Sequence, residues 1–112
     1  MHTVIETTAY LVDAERLFSA REQATIVGTV SANPRCGVVI PGTGGVRKLR
    51  VPASGRGKRG GARVIFLFGG DDVPVFLLAV FAKNERSDLS QAERNRLART
   101  AAELLATYRS KR

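Results

Sequence analysis

Apolar positions along the chain change period twice, and each period marks an element. Tyr10, Leu11, Ala14, Leu17 and Phe18 fall at i, i+1, i+4, i+7 and i+8, which is one face of a helix. Thr3, Val4 and Ile5 before them read as a short strand, and Thr7 or Thr8 can cap the helix. A second helix is predicted to open at Ser19, because Glu22 three residues on completes a capping box in which each side chain satisfies the other's free backbone amide. Its buried stripe is Ile26, Val27 and Val30, and Asn33-Pro34 stops it, since proline disfavours helical geometry in the residue before it.

Turns are expected across residues 35–45, which contain Pro41-Gly42-Thr43-Gly44-Gly45. The period then becomes two. Residues 46–51 read as a strand with Leu49 and Val51 on a core face and Lys48 and Arg50 on the other. Residues 52–61 form a loop of little side-chain bulk, and 62–68 resume an apolar strand whose one charge is Arg63. Gly69-Gly70-Asp71-Asp72 reads as a hairpin connection, and residues 75–82 are nearly all apolar, as a strand covered on both faces would be. Ser90 with Glu93 makes a second capping box, opening a helix whose apolar stripe is Leu97, Ala101, Leu104, Leu105 and Tyr108. The order is strand, two helices, an antiparallel sheet of three further strands, then a helix, which predicts an α+β fold. The 112 residues suit a single domain, 1–112, able to bury a core without metal or disulfide.

Charge changes this picture. From residue 23 to residue 70 there is no Asp or Glu, and eight of the 18 Lys and Arg lie there. The other ten Lys and Arg are matched by all ten Asp and Glu, so the net charge of +8 belongs to one segment. An ordinary solvated surface mixes both signs. A segment this one-sided, in a chain of pI about 10.8, predicts a polyanionic partner: nucleic acid, or an acidic protein masking the same face. The single Cys36 excludes an internal disulfide, and no apolar signal segment follows Met1, so a reducing cytoplasm is the expected compartment. The longest apolar run, residues 73–82, contains Pro74 and is too short for a bilayer, which takes roughly 20 helical residues, so no membrane role is expected.

Several familiar chemistries find no support. Gly37 and Gly42 are followed by Thr43, not Lys, and Gly42-Thr43-Gly44-Gly45 lacks the dinucleotide spacing, so no nucleotide cofactor is expected. Cys and His do not cluster, which leaves no expected metal site, and His2 is the only histidine. Gly55-Arg56-Gly57-Lys58-Arg59-Gly60-Gly61 has a definite use: without Cβ atoms the backbone approaches a phosphate chain closely while cations supply charge. A solvated loop has the same composition. Arg63 favours the first reading, because an arginine inside an apolar strand is costly to bury without an anionic partner, and Lys83 stands likewise just after Phe81 and Ala82.

Taken together, Asn33-Pro34, residues 40–50 (IPGTGGVRKLR), residues 57–65 (GKRGGARVI) and Ala82-Lys83-Asn84-Glu85 resemble the RelE/ParE superfamily of type II toxins, in particular its HigB-type, RelE-like branch. The resemblance covers nearly the whole chain. It implies a metal-independent, ribosome-dependent mRNA endonuclease (an mRNA interferase) with no cofactor, silenced by a cognate antitoxin, a helix-turn-helix protein of the HigA class. By position, Lys48 and Arg50 match the basic pair of the second strand and Arg63 the arginine opening the third. Asn84 stands where RelE proper has an arginine, Ser90 where it has a catalytic tyrosine, and Phe66 and Phe81 where many relatives carry tyrosine.

Cleaving RNA without metal makes the 2′-hydroxyl attack its own phosphorus, which needs a base, cations for the crowded phosphate oxygens and an acid for the leaving 5′-oxygen. Arginine stays protonated, so base duty falls to a lysine among Lys48, Lys58 and Lys83. Arg50, Arg56 and Arg63 would hold phosphate through their guanidinium forks. Arg47, Arg56, Arg59, Asn84 and Arg86 complete the expected RNA-contacting set. Two other readings share these residues: a non-enzymatic module that binds RNA or the ribosome, and a ParE-like gyrase inhibitor.

Overall fold

The computed structural model describes residues 1–53 and 60–111. Its elements are β1 (Val4–Glu6), α1 (Thr8–Leu17), α2 (Ala20–Ala32), β2 (Val38–Val39), β3 (Val46–Val51), β4 (Ala62–Leu67), β5 (Val75–Ala82) and α3 (Gln91–Ser110). The five strands make one sheet in the order β1-β5-β4-β3-β2. Pairing is antiparallel except for β1, which runs parallel to β5 with Val4 opposite Val75. The α+β expectation holds, with two additions: β1 joins the sheet in parallel, and residues 35–45, expected as turns alone, contain the two-residue edge strand β2.

Alternation along the strands divides the core in two. Ala62, Val64 and Phe66 of β4 pack with Tyr10, Ala14, Leu17, Ile26 and Val30 beneath α1 and α2. Ile65 and Leu67 face the other way and pack with Leu97, Ala101, Leu104, Leu105 and Tyr108 of α3. The sheet is therefore covered on both faces, which is why β5 can be apolar throughout. Fully burying an aliphatic or Phe side chain contributes about 1.5–3 kcal/mol, so Phe66 and Phe76, on opposite faces, weigh heavily. A bulge interrupts β5: Ile65 pairs with Ala79 but Phe66 with Leu77, so Leu78 is extra and both Leu78 and Ala79 turn toward α3.

Local chemistry sets the helix ends. Thr7 caps α1 and donates its hydroxyl to the Leu77 carbonyl at 2.7 Å, fastening the helix to β5. Both capping boxes form, Ser19 with Glu22 and Ser90 with Glu93. The Ser90 amide, and secondly the Arg86 guanidinium, hold the Glu93 carboxyl below its ordinary range. The far end of α3 is pinned by Arg109, whose Nε donates to Asp72 at 2.9 Å and whose Nη2 donates to the Gly69 carbonyl at 2.9 Å.

Tyr10 is fully buried, and its hydroxyl has no hydrogen-bond partner among the described residues. Burial, and secondly the Glu6 charge, push its pKa up to about 12. An unpaired buried hydroxyl costs stability, so Tyr10→Phe is expected to melt at the same temperature as the parent or higher at pH 7, by up to about 1 kcal/mol. The native state keeps a proton that the unfolded chain releases near pH 10. The stability linked to that proton is therefore full below pH 10 and is lost as pH rises toward 12. Parallel melts across that window should show a shallower decline for Tyr10→Phe.

Candidate nucleic-acid interface at the basic end of the sheet

Arg63 owes its place to parity. Its neighbours Ala62 and Val64 point under α1 and α2, so Arg63 lies on the α3 face of the sheet. On β3, Lys48 and Arg50 flank Leu49, which packs on the α1–α2 side, and they emerge on the same face as Arg63. Val46 shares that parity and is fully buried, so the charged face of β3 begins as core. Register then brings Arg50 directly opposite Arg63, and Arg63 opposite Phe81. Facing positions on neighbouring strands have Cα atoms about 4.5–5.5 Å apart, and like charges at that spacing repel. No carboxylate pairs with either arginine among the described residues.

Arg63 is the anchor of this row. Only 8% of it is exposed, and its Nη1 donates to the Gly60 and Ala62 carbonyls at 3.1 and 3.2 Å. A guanidinium has five N–H donors, so two neutral acceptors leave both its charge and further donors for an anion. The Gly60 carbonyl is presented by a tight turn. Gly61 has φ +71, and a Cβ there would lie 2.4 Å from the Val51 carbonyl oxygen. The Gly61 carbonyl in turn accepts from the Lys83 amide at 3.0 Å, joining the start of β4 to the residue just past β5.

The turn and loop after β5 supply the rest. Lys83 Nζ donates to the Ser87 carbonyl at 3.0 Å, and Lys48 Nζ pairs with Asp88 at 3.0 Å. The Leu89 amide, and secondly the Lys48 ammonium, hold the Asp88 carboxyl below its ordinary range. Arg86 lies 4.6 Å over the Phe81 ring and pairs with Glu93, while Arg16 of α1 donates to Glu85 at 2.8 Å. The loop is thereby tied to both helices that flank it.

Of the residues expected from sequence, Lys48, Arg50, Arg63, Lys83 and Arg86 gather at this end of the sheet, and Asn84 is exposed in the adjoining turn. Arg47 does not join them. It has the parity of Leu49 and Val51, and its Nη1 donates to the Arg35 carbonyl at 2.8 Å, beside the edge strand. Arg56, Lys58 and Arg59 lie outside the described residues. Ser90 spends its hydroxyl on the α3 capping box, and Phe66 is buried beneath α1 and α2, away from the cations. His2 bonds Asp71 in the β4–β5 connection, at the opposite end of the sheet. Sequence reasoning passed over Asp88 and Arg94, which meet at 3.3 Å beside Lys48. Among the described residues, no group of three or more His, Cys, Asp or Glu is placed to hold a metal ion, and no helix is long and apolar enough to cross a membrane.

This is an α+β protein whose sheet ends in a group of cations, two of which, Arg50 and Arg63, pair with no carboxylate among the described residues. The chain belongs to the RelE toxin family: residues 40–111 match the family described as the RelE toxin of the RelE / RelB toxin-antitoxin system. It is a toxin of a type II toxin-antitoxin system, and its family implies an antitoxin partner. The matched span takes in β3, β4, β5 and α3, and with them every residue of the basic row.

Proposed function

We propose that this toxin is a metal-independent endoribonuclease of the HigB-type branch, cutting messenger RNA held in the ribosome and working in the cytoplasm as one domain, 1–112. The observation that carries the reading is the facing pair Arg50 and Arg63, the latter buried with no carboxylate beside it among the described residues. Two guanidinium forks carried on facing positions suit the non-bridging oxygens of one phosphodiester. As the 2′-hydroxyl oxygen bonds to phosphorus and the 5′-oxygen departs, negative charge builds on those oxygens. Preorganised donors stabilise that charge. The reaction closes a 2′,3′-cyclic phosphate and moves one proton from the 2′-oxygen to the 5′-oxygen. Lys48, Lys58 and Lys83 are the candidates for that transfer.

General acid–base help supplies about 10²–10⁴ in rate, so a site lacking histidine needs its substrate held in line by something larger. The ribosome fills that role. The masking partner is an antitoxin of the HigA-like, helix-turn-helix class. Mapping message ends after induction tests the proposal: new ends should appear inside codons of translated messages, while free RNA is cut poorly. Equal cutting of free and translated RNA would count against ribosome dependence.

A non-enzymatic RNA- or ribosome-binding module is the second reading. Two observations favour it: Ser90 is committed to a helix cap and Lys48 to Asp88. A binder protects message and leaves no new ends, so the same mapping separates the two. DNA damage without message cleavage would instead point to a gyrase inhibitor.

A further inference from the structure

Asp88 is held by two cations that come from different elements. Lys48 of β3 reaches its Oδ1 at 3.0 Å, and Arg94, one turn into α3, reaches its Oδ2 at 3.3 Å. Side-chain exposure is 27% for Lys48, 35% for Arg94 and 41% for Asp88, and ion pairs this open to water contribute little to stability. Arg94 also keeps a buried Nε with no acceptor among the described residues, so its fork is only partly used. Two cations converging on the two oxygens of one carboxylate have the geometry that also grips two oxygens of a phosphate.

Position supports the same conclusion. Lys48 precedes Arg50 by two residues on one face of β3, a step of about 7 Å along the strand. That step is close to the spacing of successive phosphates in an extended single strand. We propose that Lys48 and Arg94 form a second phosphate subsite beside the Arg50–Arg63 pair, taking the neighbouring phosphate of the same strand, with Asp88 as an internal anion that nucleic acid displaces. This rests on the RNA-binding reading above and adds Arg94, which that reading does not use.

The test uses the full chain and a fluorescent single-stranded oligonucleotide carrying 2′-O-methyl groups, which cannot be cut through the 2′-oxygen, so binding is read apart from cleavage. Anisotropy titrations across a salt series compare the parent with Asp88→Asn, Arg94→Gln and Arg63→Gln. Asparagine keeps an oxygen for the Leu89 amide and for Lys48, and melting curves confirm that each variant is folded. Asp88→Asn is expected to bind several-fold tighter. Arg94→Gln should bind several-fold weaker, its plot of log affinity against log salt shallower by about 0.7, the share of one single-strand phosphate contact.

If Asp88→Asn and Arg94→Gln both match the parent in affinity and salt slope while Arg63→Gln still weakens binding, the second subsite is refuted and the Arg50–Arg63 site stands. If neither parent nor variants bind the oligonucleotide, the second subsite is overturned, while the Arg50–Arg63 site is judged separately by the mapping of message ends. A gain for Asp88→Asn that disappears when Arg94→Gln is added confirms that the two residues serve one anion.

Discussion

Arg63→Ala is expected to abolish growth arrest on induction while the purified protein still melts cooperatively. Arg63 is 8% exposed, and its bonds among the described residues go to two neutral carbonyls, Gly60 and Ala62. A buried cation with no counter-charge is a cost to the fold. Its loss is then partly offset by relief of that cost and of the repulsion from Arg50 across the β3–β4 ladder. Activity has no such compensation. Removing one preorganised donor from a developing oxyanion typically costs about 10²–10³ in rate. Arg63→Lys is the sharper companion, since it keeps the charge but loses the planar fork, and the two are not equivalent where an anion is gripped through two oxygens. It should recover only a small part of the activity. Arrest by a folded Arg63→Ala protein, scored as colony counts after induction and as message ends, would remove the centre of the proposed site.

How far the sequence disclosed this molecule depended on the range of the interaction. Capping boxes at Ser19 and Ser90 involve residues three apart, and both form as expected. β5 was legible because burial on both faces demands an apolar run. β2 was not: Val38 and Val39 are an exposed pair on an edge, with too few residues to show alternation. No local signal places β1 beside β5, because that pairing joins residues about 70 apart in the sequence. Parity did contain the face of Arg47, which shares its side of β3 with Leu49 and Val51, but its charge drew it into the expected set. Arg63 was legible as an oddity in an apolar strand. Its partner was not, since only register brings Arg50 opposite it. The Lys48–Asp88 pair joins a strand residue to a loop residue 40 positions on, and nothing in either segment alone announces it.

The tight turn under Arg63 links fold and site most directly, and Gly61→Ala is expected to damage both. Gly61 sits at φ +71, a left-handed conformation that costs an L-residue about 1–2 kcal/mol. The new Cβ would also lie 2.4 Å from the Val51 carbonyl oxygen, which is backbone and cannot rotate away. Forcing such an atom into packed structure adds about 1–3 kcal/mol. Gly44 provides the control. Its φ is +72, but a Cβ there meets nothing within 4 Å, so Gly44→Ala should show the conformational cost alone. The two melts should therefore separate clearly, with Gly61→Ala lower by roughly 10 °C or more against the parent and Gly44→Ala by about half of that or less. Relieving the contact moves the carbonyls that hold the Arg63 guanidinium and the Lys83 amide. Gly61→Ala should accordingly lose oligonucleotide binding even at a temperature where it is fully folded, and Gly44→Ala should keep it. Equal melting temperatures for the two alanine variants would mean that the chain absorbs the close approach at Val51 without strain, and that Arg63 is not positioned by this turn.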